Sequence, residues 1–488
     1  MPLLDLPVDL FHEVLLQGVI SRGVTRALRL KLVCKQFQRY LQPALFESRL
    51  LDEYVVEARV GSKLTFMEDW YIRHRHGLEK FWHAYLVYRV HNETDPNKGG
   101  FVAVRQIAEQ ICEQTETEHE TVVSELCWLA LERGTTAPGF PEGWGWSEPS
   151  DKTRNAGSSL LSAAAYLGHI GVARQLLSEG LCPVAKGPLF PSPMQLAAYA
   201  GNSDILRLFQ EHLPDFEDTR PPGVTFPRTW RGKTGPGSIK GAMMRGDIDI
   251  LRLAICPPSL GLLQNTNFCG LQFGHVEPKC PPGIDLEKGL YHAKTLEAFQ
   301  YVESFFGESC ALSSRSSALL AHYAELGNIE IVGYLLDGGA KIDGGTFTNQ
   351  NPLTIACRNC HGDIVDLLLQ RGADPSYKRL QWLTCPLYAA TSGGSIYIVR
   401  RLLARGATYA AVNWEPISAA LQLEHTAMVE LILEFREWSE RELRSMARVQ
   451  SAKGLESMAS LLLSKIEASP VQVVGKSAEA RSIAIRTG

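Results

Sequence analysis

Apolar residues recur along the chain at helical spacing, in blocks too short and too evenly separated for one globular core. Ile331, Val332, Leu335 and Leu336 make one such block, and Ile364, Val365, Leu367, Leu368 and Leu369 make another. Each predicts a short helix with a broad apolar face. Near the N-terminus, Leu10, Phe11, Val14 and Leu15 form an i, i+1, i+4, i+5 stripe after Pro7, which suits a helix start. In a second N-terminal helix, Leu30, Val33 and Phe37 share a face, and Pro43 is expected to end or bend it. Phe81 to Val90, Phe101 to Gln114 and Glu118 to Arg133 also read as helices, whereas Gly134 to Gly157 reads as a linker. The elements read from this pattern are all helices, an all-α fold.

The short blocks repeat in phase. NPLTIACRNCHGDIVDLLLQRGADPS, Asn351 to Ser376, has counterparts at Ala318 to Asp343, Cys385 to Thr408 and Glu415 to Phe435. The closing glycines Gly339, Gly372 and Gly406 are 33 and 34 residues apart, and upstream Gly168 and Gly201 are 33 apart. This run resembles the ankyrin repeat, whose opening turn reads T-P-L-H-x-A and whose second helix ends in L-L-x-x-G-A-D. The resemblance implies a solenoid of helix-turn-helix units with short hairpin loops. Ser159 to Leu181, Ser192 to Leu213 and Gly237 to Ile255 bring the count to seven units, and degenerate copies at Asp285 to Ser304 and Ser445 to Lys465 would make nine. Pro352, Pro386 and Pro416 fit first helical turns, where a missing N–H costs nothing. Ala164, Ala165, Ala197, Ala198, Ala356 and Ala420 are small where the two helices of a unit must approach closely. A lone unit cannot bury its apolar face, so stability must come from stacking on neighbours.

The N-terminal residues differ in character. Leu6-Pro7 with Leu10, then LKLVCKQF from Leu30 to Phe37, then Pro43, Leu45 and Phe46 resemble an F-box, the motif that joins substrate receptors to the Skp adaptor of cullin-RING ubiquitin ligases. The middle, Gln17 to Ala27, departs from that family's short aspartate-bearing turn. The resemblance implies that Leu6, Pro7, Leu10, Leu30, Val33, Cys34 and Phe37 contact a Skp-type adaptor. A plainer reading of the same residues is a helical cap packed on its neighbours. Under 50 residues bury too little surface to be very stable alone, so the segment should dock onto something.

Composition narrows the function classes. The 488 residues are 45% hydrophobic and 21% charged, ordinary for a folded chain, and the formal charge of -4 gives no reason to expect nucleic acid or an anionic membrane as partner. The start of the chain lacks a basic n-region and reads as no signal peptide, and no apolar run has the length of a membrane span. Eleven scattered cysteines then suggest reduced thiols in cytoplasm or nucleus.

No phosphate-binding loop or nucleophile motif is found, so no catalytic residue, cofactor or metal is expected. Cys357-Arg-Asn-Cys360-His361 has the CxxCH form of a haem attachment site, but it falls inside the best repeat, with Cys360-His361 where other copies read Gly-His or Gly-Asn. His74, His76 and His83, alternating with Arg73 and Arg75, read as a solvated basic face.

A target protein, unidentified from sequence, is expected on the hairpin tips, where Phe347, Tyr377, Lys378, Arg379, Trp382, Tyr409 and Trp414 are large or basic. Trp382 and Trp414 would equally serve to pack successive hairpins. Tyr166, Tyr199, Met244, Arg245 and Arg358 should share the exposed side of the first helices. The expected layout is an F-box-like segment at 1–52, a helical connection at 53–133, a linker at 134–157, repeats over 158–466 with insertions at 214–236 and 256–284, and a disordered tail at 467–488.

Overall fold

The computed structural model describes residues 5–30, 34–51, 79–94, 99–131, 156–187, 189–213, 236–255, 286, 289–306, 312–344, 351–377, 385–408, 415–435 and 437–467. Among them the chain forms 22 helices and no strand. It divides into two compact units, Met1–Gly307 and Glu308–Gly488. Most of the expected linker and both expected insertions, and nearly all of the expected tail, lie outside the described residues.

The first unit opens with α1 (Val8–Arg29) and α2 (Lys35–Glu47). Phe11, Leu15 and Val19 form the buried side of α1. The Phe11 ring meets Phe37 edge-on at 5.4 Å and Tyr40 at 5.9 Å, and His12 Nε2 lies 2.7 Å from Glu47 Oε2. The stretch Gln17 to Ala27 is helical and kinks at Gly23, where φ is 73°. Pro43 does not end its helix: α2 runs through it to Glu47, because Ala44, Leu45 and Phe46 beyond it are buried. The Phe46 ring lies 5.5, 5.1 and 5.6 Å from Phe81, Tyr85 and Tyr88 of α3 (Glu79–Asn92). The N-terminal pair therefore docks through the end of α2.

Next come α4 (Gly99–Gln114) and α5 (His119–Leu131). Arg89 and Glu93, 1% and 0% exposed, form a buried ion pair. The Arg89 guanidinium donates to the Tyr85 hydroxyl at 3.2 Å and lies 4.7 Å from the Phe101 ring centre. Arg105 donates to the carbonyls of Val90, His91 and Glu93 at 3.1, 3.2 and 2.9 Å, closing the C-terminal end of α3. His83 is stacked on Trp128 at 4.1 Å, with Nε2 3.0 Å from the Ser124 carbonyl, instead of forming a solvated face; His74 and His76 lie outside the described residues.

Helical hairpins complete this unit: α6 (Ala156–Leu167) with α7 (Ile170–Ser178), α8 (Pro193–Ala200) with α9 (Ser203–His212), α10 (Pro236–Arg245) with α11 (Ile248–Ile255), and the single helix α12 (Leu296–Glu303). The first helices α6, α8 and α10 pack side by side, as do the second helices α7, α9, α11 and α12. Ala164, Ala165, Ala197 and Ala198 are fully buried in α6 and α8. At Gly241 a Cβ would lie 2.1 Å from the Gln195 carbonyl oxygen, so α10 rests directly on the α8 backbone.

The second unit repeats the hairpin with α13 (Leu312–Leu326) and α14 (Ile329–Asp337), α15 (Pro352–Arg358) and α16 (Gly362–Gln370), α17 (Pro386–Gly393) and α18 (Ile396–Ala404), α19 (Glu415–Gln422) and α20 (Thr426–Glu434), and α21 (Glu440–Ala452) and α22 (Glu456–Glu467). Caps set the helix starts: Asn351 accepts from the Thr354 N–H at 2.9 Å ahead of Pro352, and Asn328 accepts from Ile331 at 3.1 Å. Ser439 and Glu442 form a reciprocal capping box, so the last hairpin starts before the expected Ser445. Ile364, Val365, Leu368 and Leu369 are buried as expected, whereas Leu336 and Leu367 are only half-buried, making the apolar faces narrower than the pattern implied. Gly180, Gly339, Gly372 and Gly406, each following a second helix, have φ between 82° and 93°.

Polar clamps join one hairpin to the next. Asn202 Nδ2 donates to the carbonyls of Ala165 and Tyr166 at 2.8 and 3.0 Å, and His361 Nε2 to that of Glu325 at 3.0 Å. They satisfy carbonyls that a helix end leaves unbonded. In the second unit Asp366 of α16 accepts from Arg401 Nε of α18 at 2.7 Å and from the Tyr397 hydroxyl. Burial alone would raise the Asp366 pKa, but the bonds from Tyr397 and Arg401 outweigh it and hold the carboxyl below its ordinary value.

Three outcomes follow from these contacts. Glu93→Ala leaves a buried guanidinium without its counter-charge and should cost about 3–5 kcal/mol, whereas Arg89→Met with Glu93→Leu should recover most of it; chemical denaturation of the two variants checks this. Cys360 occupies the turn position filled by glycine in other hairpins, at φ 61°. Cys360→Gly should raise stability by up to about 1 kcal/mol and Cys360→Val should lower it, measured as shifts in denaturation midpoint. Because the Asp366 pKa is depressed in the fold, its contribution is present above the unfolded value of about 4 and is lost as pH falls through the lower folded value. An acid titration should therefore destabilise wild type more than Asp366→Asn.

Candidate interaction surfaces

Two surfaces in the first unit bring exposed and half-buried side chains together. One is the outer side of α1. Val8 is 56% exposed, Leu10 56%, Val14 43% and Ile20 49%, a concentration of bare aliphatic surface unmatched by any other described helix. Helical geometry produces it: Phe11, Leu15 and Val19 turn inward against α2, so Leu10 and Val14, one turn apart, turn out together. Pro7 is exposed and Leu6, Leu30 and Cys34 are half-buried, while Phe37 is buried under Phe11. Val33 lies outside the described residues. The F-box-like residues thus fall into two groups, Leu6, Pro7 and Leu10 reaching the surface and Phe37 holding the helix pair together.

The other surface is a groove of about 730 Å³ at the C-terminal ends of the first helices, lined by Glu125, Tyr166, Leu167, Tyr199, Ala200, Arg245, Gly246, Asp247 and Lys294. Tyr166 and Tyr199 occupy equivalent positions in successive hairpins, so close stacking of α6 and α8 brings their rings to 6.3 Å, within 11° of parallel. Arg245 donates to the Ala200 carbonyl at 2.7 Å and lies 3.4 Å from Asp247 Oδ2. Asp247 also accepts from the Asp249 and Ile250 N–H groups at 3.0 and 3.3 Å. Burial would raise its pKa, but those amide bonds and Arg245 prevail and keep it ionised. Lys294 stands beside Gly246, its backbone N–H 3.0 Å from the Met243 carbonyl, and Glu125 faces the groove from α5.

Three of the five first-helix residues expected to share a side, Tyr166, Tyr199 and Arg245, line this groove. Met244 is half-buried beside it, and Arg358, in the second unit, is buried at 6% exposure. Of the expected hairpin-tip residues, Tyr377 is half-buried, its N–H bonded to the Asp374 carbonyl at 3.2 Å. Phe347, Lys378, Arg379, Trp382, Tyr409 and Trp414 lie outside the described residues. Sequence reasoning missed Glu125, which belongs to no repeat, and Lys294, separated from Gly246 by the second insertion.

The CxxCH residues are structural parts of a repeat. Cys357 is fully buried in α15, where desolvation pushes its thiol well above the usual range, and His361 is engaged with the Glu325 carbonyl. No cluster of three or more His, Cys, Asp or Glu able to hold a metal occurs among the described residues. Nor is any described helix long and apolar enough to cross a membrane.

Fold and surfaces together define a class: an all-α helical-repeat protein that offers surfaces to other proteins. A family model described as ankyrin repeats, in three copies, matches residues 292–379, so the chain contains ankyrin repeats. No F-box family model matches the N-terminal segment, and no curated protein matches the chain. If the groove is a binding surface, Tyr166→Ala with Tyr199→Ala should weaken partner capture about tenfold or more while circular dichroism keeps its helical signal.

Proposed function

We propose that the chain is a substrate receptor of a Skp-cullin-F-box type ubiquitin ligase, in which the N-terminal helix pair recruits the adaptor and the ankyrin-bearing hairpins hold the protein to be modified. Ligation chemistry would belong to the recruited partners, and the chain itself works by holding, in cytoplasm or nucleus. The observation that carries this reading is the bare apolar side of α1 around Leu10 and Val14, on a helix whose other side is anchored by Phe11. Exposing that much aliphatic surface on an N-terminal helix costs solubility unless a partner covers it. The F-box resemblance supplies the kind of partner, since Leu6, Pro7 and Leu10 of its motif lie at the same end of α1. The tyrosine groove supports the target-holding half, with the hairpin tips as a second contact.

A second reading is an ankyrin scaffold that works without a ligase. It is favoured by the long kinked helix through Gln17 to Ala27 and by the docking of Phe46 on α3, both features of a packed cap.

Pull-down with purified Skp adaptor separates the two. Recovery by wild type, reduced at least about tenfold in Leu10→Asp/Val14→Asp, supports the receptor. Equal recovery from both, or none from either, favours the scaffold.

A further inference from the structure

The hairpin tip that leads into α8 and the first turns of α10 meet at one place, the start of α8. The tip, at 182–187, is fixed there by the Met194 N–H, which donates to the Pro183 carbonyl at 2.9 Å. The first turns of α10 rest on the same stretch: a Cβ on Gly237 would lie 2.9 Å from Ser192 Oγ, and one on Gly241 2.1 Å from the Gln195 carbonyl oxygen. Each of the two elements brings a lysine, Lys186 exposed on the tip and Lys240 half-buried on α10. Apart from Arg245, they are the only charged residues of the tip and of α6, α8 and α10, so these elements hold no carboxylate to pair with them. Arg245 is engaged with the Ala200 carbonyl and Asp247. Neither lysine makes a hydrogen bond or ion pair with a described residue. Burial holds the Lys240 pKa below its ordinary value and the Lys186 charge lowers it further, so the two ammonium groups lie within each other's field. A half-buried ammonium beside a second one is unfavourable, and an anion between them would relieve it.

We infer that Lys186 and Lys240 together take one anionic side chain, carboxylate or phosphate, of a protein held against the hairpins of the first unit. The inference rests on the reading that the hairpins hold a target, and adds the charge which that target presents at the tip. Each ammonium is a compact charge with three N–H donors, so two of them on separate elements approach a single anionic group from two directions. A nucleic acid or an anionic membrane calls for a longer basic track, and α6 and α8 supply no further charge. A phosphorylated side chain carries about −1.5 to −2 charge and balances both lysines, whereas a carboxylate balances one, so phosphate is the tighter of the two.

The test is retention, on the immobilised full chain, of pools of 12-residue peptides that are random except for a central glutamate, phosphoserine, glutamine or lysine. Wild type is expected to retain the glutamate and phosphoserine pools at least about tenfold better than the glutamine pool, and the lysine pool least. Preference for only one of the two anions supports the inference and names the anion. Lys186→Gln/Lys240→Gln is expected to abolish the preference. Because Lys240 is half-buried, the exposed Lys186→Glu serves as a second variant and is expected to remove most of it, with thermal melts confirming that both variants are folded. A preference that survives in both variants places the anion elsewhere and overturns the inference. Equal retention of all pools overturns it too, and loss of that retention in Tyr166→Ala/Tyr199→Ala then leaves the target-holding reading in place. No retention of any pool overturns the inference together with the holding role.

Discussion

The groove of the first unit depends on how closely its first helices lie. The absence of a side chain at Gly241 lets α10 lie directly on the α8 backbone, and the alanines at 164, 165, 197 and 198 are fully buried in α6 and α8. Larger residues there would move the helices apart by an ångström or more and leave voids in a packed interior. That spacing sets the distance between Tyr166 and Tyr199 and lets Asn202 and Arg245 reach the carbonyls of the preceding hairpin. The apolar second helices supply the buried area, but the small residues determine the geometry.

The clamps show how a repeat manages its helix ends. Short helices leave a large share of their carbonyls without internal partners. Here a polar side chain after the turn, Asn202 or His361, satisfies those of the preceding hairpin, so the bond that completes one helix also aligns the next. The position tolerates several polar residues, which is why no single letter marks it in sequence. The N-terminal pair is held differently, by the aromatic contacts of Phe46 and by Arg49 just after α2, 4.0 Å from the buried Glu93 carboxylate.

The repeats were legible because their constraints recur every 33 residues: a glycine where the chain turns left-handed, alanines where helices touch, and aliphatic residues on the second helix. The reading of Cys360-His361 as a disguised Gly-His step was legible for the same reason, since the phase of the neighbouring copies specifies what the position must do. Features set by a single tertiary contact were not. Pro43 lies inside α2, whose following residues through Phe46 are buried, Phe46 against α3, and Glu125 and Lys294 line the groove from separate local contexts, one before the repeats and one after an insertion. Leu10 was found as part of an apolar stripe, but its exposure depends on which side of α1 packs against α2, which spacing alone does not decide.

The central claim is that close helix stacking builds the groove, and hydrogen exchange read by mass spectrometry on Gly241→Leu tests it most directly. The account predicts faster exchange in α8 and α10 than in wild type, because the added side chain must displace the Gln195 backbone that lies where its Cβ would be. Unchanged protection of both helices would contradict it.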